Sequence, residues 1–143
     1  MNITEFLLAR IAEDEAVAKA ASPGPWIWEG DASEDESFLY GPNGSSILSA
    51  YGMHSQGFLE RSEGDADQIA RHDPARVLAE CTAKRAILLE HPMTMTHWWP
   101  EMVETDVCET CGDGVTVEWP CPTIAALSAV YTDHPDYQQE WAE

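Results

Sequence analysis

Three cysteines near the C-terminal end carry the sharpest chemical signal in the chain: Cys108-Glu-Thr-Cys111-Gly112, followed by Cys121. A Cys-x2-Cys pair folds into a knuckle that presents two thiolates to one tetrahedral metal. Gly112 supplies the backbone freedom such a turn calls for, including access to positive φ. Cys121 precedes Pro122 at the start of an expected helix, where the helix dipole favours a thiolate. Three thiolates plus one further donor make a closed Zn2+ site. The spacing therefore predicts a structural zinc held by Cys108, Cys111, Cys121 and His91, with His134 the alternative fourth ligand. His97 and Cys81 are also within the candidate set. Cys81, however, lies on the apolar face of an expected helix, where it reads as a small core residue.

Other side chains offer less. Trp26, Trp28, Arg71, His72 and Arg76 form the one concentration of aromatic and basic groups that could line a small-molecule or nucleotide pocket. Asp31, Glu34, Asp35 and Glu36 are a charge run, for which a solvated loop is the default. Glu109 and Glu118 stand near the cysteines, but acids are abundant throughout. The chain has no Gly-rich phosphate loop, nucleophile elbow or His-Glu-x-x-His motif. A zinc hydrolase would need an open coordination position and a general base, and a non-enzymatic role is the better expectation.

The elements that must position these groups follow from pattern. Asn2, with Glu5 three residues on, predicts a capping box for a helix over 2–21, whose apolar face is Ile3, Phe6, Leu7 and Ile11. Ser22-Pro-Gly-Pro25 stops it. Trp26–Trp28, Phe38–Tyr40 and Ser46–Tyr51, with Asn43-Gly44 as a turn, predict a small antiparallel sheet over 26–51. A helical stretch follows over 65–91, broken at His72-Asp73-Pro74, where Asp73 caps the restart and Pro74 takes the first helical position. Val77, Leu78, Cys81 and Leu88 form its apolar face. Met93 to Val107 is expected to be irregular and Pro122 to Tyr131 helical, which makes 91–137 the metal-binding segment. The expected class is α+β in a single domain over 1–143, with a long central helix and a zinc-stapled C-terminal segment.

Composition bounds the partners. The 143 residues carry 26 acids against seven Lys and Arg, a formal charge of -19. Eleven of the acids, and no Lys or Arg, fall in 86–143. Such a chain repels nucleic acid and anionic membranes and favours a protein partner with a basic surface. An apolar content of 44% suits a folded protein rather than a disordered one. No apolar run approaches the ~20 residues of a membrane span, and Met1–Arg10 lacks a basic signal-peptide start. The expected setting is the cytoplasm.

Several segments resemble a family of small, uncharacterised proteins of actinobacteria and their phages. They are Phe6-Leu-Leu-Ala-Arg10, Ala12-Glu-Asp-Glu15, Pro23-Gly-Pro-Trp26, Asp67-Gln-Ile-Ala-Arg-His-Asp-Pro-Ala-Arg-Val-Leu78 and Lys84-Arg85. The C-terminal ones are Cys108-x2-Cys111, Trp119-Pro-Cys-Pro-Thr123 and Asp133-His-Pro-Asp-Tyr137. The Pro-Gly-Pro-Trp segment with its following helix is also similar to phage Ead-like proteins. The first family is a domain of unknown function, so it implies no activity; both resemblances imply a phage or mobile-element accessory role. The acidic loop around Glu34 and the Trp98-Trp99 insert depart from the pattern.

Overall fold

The computed structural model describes residues 1–30, 36–51, 63–98, 103–112 and 117–142. The charge run at Asp31, Glu34 and Asp35, and Trp99-Pro100, lie outside the described residues. The chain is α+β. It forms two compact units, Met1–Glu13 with Thr82–Glu143 and Asp14–Cys81, whose boundaries fall inside helices.

Helix α1, Ile3–Ala20, begins with the expected capping box. The Glu5 N–H donates to Asn2 Oδ1 and the Asn2 N–H to Glu5 Oε2, each at 2.9 Å, so two otherwise orphaned donors are satisfied reciprocally. Ile3, Phe6, Leu7 and Ile11 are all buried. In the unit that holds them Phe6 meets an aromatic cluster from the C-terminal end. Trp141 lies 4.9 Å from the Phe6 ring centroid, and Tyr131, His134 and Tyr137 surround the same ring at 5.6–6.1 Å. Helix α4, Pro122–Ser128, adds Ile124 to this core.

The second unit holds a three-stranded antiparallel meander in the order β1 (Ile27–Glu29), β2 (Glu36–Tyr40), β3 (Ser46–Tyr51). Asn43 and Gly44 both take positive φ in the connecting turn, as the Asn-Gly pair predicts. Helix α2, Glu63–Arg71, leads to α3, Pro74–Glu90. Asp73 caps α3 through Oδ1, which accepts the Arg76 N–H at 2.9 Å.

One segment departs from the sequence reading. Among the described residues of 93–107 the chain is not irregular: β4, Met93–Trp98, pairs antiparallel with β5, Val103–Cys108. The period-2 pattern Met93-Thr-Met-Thr96 opposite Val103-Glu-Thr-Asp-Val107 was present in the sequence. His91-Pro92 reads as a breaker, and it instead leads directly into β4. No helix among the described residues is long and apolar enough to cross a membrane.

Candidate metal centre

The hairpin brings the expected ligands together. Cys108 is the last residue of β5, and the knuckle follows at once: the Gly112 N–H donates to the Cys108 carbonyl at 3.1 Å and closes the turn. Gly112 does this without positive φ, which among the described glycines belongs to Gly30 and Gly44. Cys121 stands at the N-cap of α4 in extended conformation, with Pro122 at the first helical position. A short antiparallel return beside β5 sets its approach, since Cys108 N–H donates to the Val117 carbonyl and Trp119 N–H to the Asp106 carbonyl.

His91 is the first residue after α3. Its neighbours on both sides are held by residues inside the knuckle. The Thr110 hydroxyl donates to the Glu90 carbonyl, and the Glu109 N–H donates to the Pro92 carbonyl at 3.1 Å. These two bonds turn the imidazole towards the sulfurs. Nδ1 of His91 lies 3.5 Å from Cys108 Sγ, 3.4 Å from Cys111 Sγ and 3.7 Å from Cys121 Sγ. The four donor atoms all fall within 4.8 Å of one another. Cys108 and Cys121 are fully buried, and Cys111 and His91 are half-buried.

This arrangement fits a tetrahedral metal. With Zn–S near 2.3 Å and Zn–N near 2.0–2.1 Å, tetrahedral angles put sulfur and nitrogen about 3.5–3.6 Å apart, the spacing His91 keeps from the three sulfurs. The electrostatics agree with a site built for cation binding. Burial pushes the Cys108 thiol up, but the Cys111 backbone N–H, His91 and the other two cysteines hydrogen-bond to it and bring it down to about 7. Burial, bonding to Cys108 and Cys121, and repulsion from their charge push Cys111 up to about 11. Gathering thiolates without a cation is costly, and a divalent metal removes that cost.

The other candidates lie elsewhere. His134 is not among the four clustered residues. Its Nδ1 accepts from Arg10 Nη1 at 3.0 Å and from the Asp136 N–H at 3.1 Å, beside Phe6. Cys81 is buried in the other unit, as a core residue would be. All four cysteines are free of disulfides. The side chain of His97 lies outside the described residues.

Of the five candidate ligand-binding residues, two share a cleft. Trp26 and His72 line an open hollow of ≈ 320 Å³ with Val17, Ala18 and Pro74. Trp28 is otherwise engaged, its indole N–H donating to the Ala66 carbonyl at 2.8 Å. Arg76 Nε pairs with Glu80 at 2.7 Å, and Arg71 is exposed at the end of α2. Sequence reasoning missed the positioning roles of Glu109 and Thr110. Their place between the two cysteines was the available signal.

No curated protein and no solved structure matches the chain. A family profile matches it over residues 1–143, so the chain belongs to the family of unknown function DUF6221.

Proposed function

We propose that the chain is a non-enzymatic interaction protein whose metal-binding segment is held by one structural Zn2+. The observation that carries this reading is the convergence of three cysteine sulfurs and His91 Nδ1 within 4.8 Å. Three sulfurs and one nitrogen are the donor set that suits zinc, and four protein ligands complete the tetrahedron without an open position for a reacting water. In this reading the metal ties the end of α3, the β4–β5 hairpin and the start of α4 into one body. The acidic C-terminal part then faces a protein with a basic surface, because eleven acids without one Lys or Arg in 86–143 attract cations and repel nucleic acid. The resemblance to actinobacterial and phage sequences supports an accessory role in a phage or mobile element, acting in the host cytoplasm.

Metal analysis of the purified chain is expected to return about one zinc per chain, with a melting temperature that falls on chelation. A metal-free chain of unchanged stability would end the zinc reading. A pull-down from host lysate at low and high salt tests the interaction. A specific partner recovered at low salt and lost at high salt is expected, and recovery of none would end that part.

A second reading, a binder of small molecules or nucleotides, draws on the Trp26–His72 cleft. A thermal-shift screen with nucleotides tests it, and an unmoved melting temperature would end it.

A further inference from the structure

The β4–β5 ribbon has one closed edge and, among the described residues, one open edge. The register shows which groups face outward. The Glu109 N–H donates to the Pro92 carbonyl, so positions 92 and 109 face each other as a hydrogen-bonded pair. Such pairs alternate along an antiparallel ladder. Thr94 with Val107, Thr96 with Thr105 and Trp98 with Val103 therefore bond inward, while Met93, Met95 and His97 turn their N–H and C=O groups away from β5. The same alternation holds on the other strand. The outward groups of Cys108 and Asp106 are those taken by Val117 and Trp119. Thus β5 is paired on both sides, whereas β4 has no second neighbour among the described residues.

A bare strand edge is a template for another chain. This one carries no Lys, no Pro and no bulge within Met93–Trp98 that would blunt it. Met93 and Met95 sit at its outward-bonding positions and are 49% and 58% exposed. Flexible, polarisable methionines suit a surface that accepts varied side chains. The surroundings select the charge of the guest. Exposed Glu90, Asp106, Glu109 and Glu118 flank the ribbon. Asp106 faces Met95, which puts it two strand spacings, roughly 10 Å, from an added strand, about one Debye length. A second copy of this chain would bring another -19 of charge to the same edge, which disfavours self-pairing.

We infer that the outer edge of β4 is a docking site for a basic, extended peptide segment of a partner protein, which adds as a third strand through the backbone groups of Met93, Met95 and His97. Strand addition of this kind draws affinity from main-chain bonds and specificity from alternate side chains. The inference rests on the interaction reading above and names its surface.

The test uses the full, zinc-loaded chain, 15N-labelled. The probes are a short capped peptide alternating lysine with valine or threonine, and its glutamate counterpart. Saturable binding of the lysine peptide is expected, with the largest shifts at the amides of Met93, Met95 and His97, and about tenfold or more weaker binding of the glutamate peptide. Met95→Pro is the discriminating variant. It removes one outward N–H and no β4–β5 ladder bond, a position where an edge strand tolerates proline. It should keep one zinc per chain and lose about tenfold in peptide affinity, the equivalent of one backbone hydrogen bond. Met95→Leu keeps that N–H and should bind as the wild type does. Equal binding of both peptides, unchanged affinity in a zinc-loaded Met95→Pro chain, or no binding would overturn the proposal. Lysine-peptide binding with shifts confined to other residues would also overturn the edge, while leaving the acidic-surface reading standing. Dimerisation of the free chain that protects the same three amides would assign the edge to a second copy and overturn it too.

Discussion

The carboxylate of Asp73 binds the backbone of Trp26: its Oδ2 accepts the Trp26 N–H at 3.0 Å while its Oδ1 caps α3 at Arg76. Asp73 is 6% exposed, so both bonds are sheltered from water. One side chain thus starts a helix and anchors the Pro-Gly-Pro-Trp segment that precedes the meander. A cap alone is worth about 1 kcal/mol, and a second sheltered, charge-assisted bond adds a similar amount or more. Asp73→Ala is therefore expected to lose about 2–4 kcal/mol in urea unfolding, more than an ordinary cap. A loss of ~1 kcal/mol or less would show that the Trp26 bond contributes nothing.

Gly24 stands against the same carboxylate. A Cβ there would lie 2.7–2.8 Å from the Cγ and both oxygens of Asp73, closer than atoms tolerate. Gly24→Ala should then displace Asp73 from its two donors and cost about 1–3 kcal/mol. The effect should shrink by more than ~0.5 kcal/mol in an Asp73→Ala background, because the clash and the bonds it breaks are then already gone. Strict additivity of the two substitutions in a double-mutant cycle would refute this coupling.

The cysteines should separate by role. Cys108→Ser is expected to weaken zinc binding by more than the roughly 10–100-fold typical of outer-shell changes, since it removes a ligand. Cys81→Ala should retain the metal and cost about 1 kcal/mol, the scale of one buried methylene-sized group. Zinc titration with a chromophoric chelator and parallel melts give both numbers. The reverse ranking would make Cys81 a ligand.

The histidines should separate in the same way. His91→Ala leaves three sulfurs, so bound metal should become readily removed by chelator. His134→Ala should leave the metal in place. It deprives the buried Arg10 guanidinium and the Asp136 N–H of their shared acceptor, a loss of about 1–3 kcal/mol. Metal loss from His134→Ala with retention in His91→Ala would exchange the two assignments.

Acid should unload the site. Cys111 is held at about 11 and Cys108 at about 7 in the metal-free chain, so zinc uptake at pH 7 must expel protons from both. Calorimetry in buffers of different ionisation enthalpy should report at least one proton released per zinc, with affinity falling as pH falls. In the chelated chain, Cys108 is depressed below its ordinary 9.0, so its contribution to stability is full above about 9 and is lost as pH falls through about 7. Cys111 is raised, so its contribution is full below about 9 and is lost as pH rises through about 11. The difference in urea midpoint between chelated wild type and a Cys108→Ser/Cys111→Ser chain should therefore peak near pH 9. A flat difference from pH 6 to 11 would contradict these shifts.

Local chemistry in the sequence determined much of this protein. Asn2 with Glu5, and Asp73 with Pro74, mark helix starts because caps and boxes act over three residues. Asn43-Gly44 marks a turn because few residues tolerate positive φ. Cys108-x2-Cys111 marks a candidate metal knuckle because a tight turn at that spacing can bring two sulfurs together, and Cys121-Pro122 marks a helix start because Pro suits the first helical position. Tertiary structure decided what depends on distant chain. Three histidines could have completed the site on composition alone, and His91 faces the sulfurs because Thr110 and Glu109 bind the carbonyls beside it. His134 is taken by Arg10, 124 residues away. The β4–β5 ribbon was hidden for the same reason: a two-stranded pairing draws its stability from cross-strand partners, and Met93 opposite Cys108 becomes a pair only once the hairpin closes.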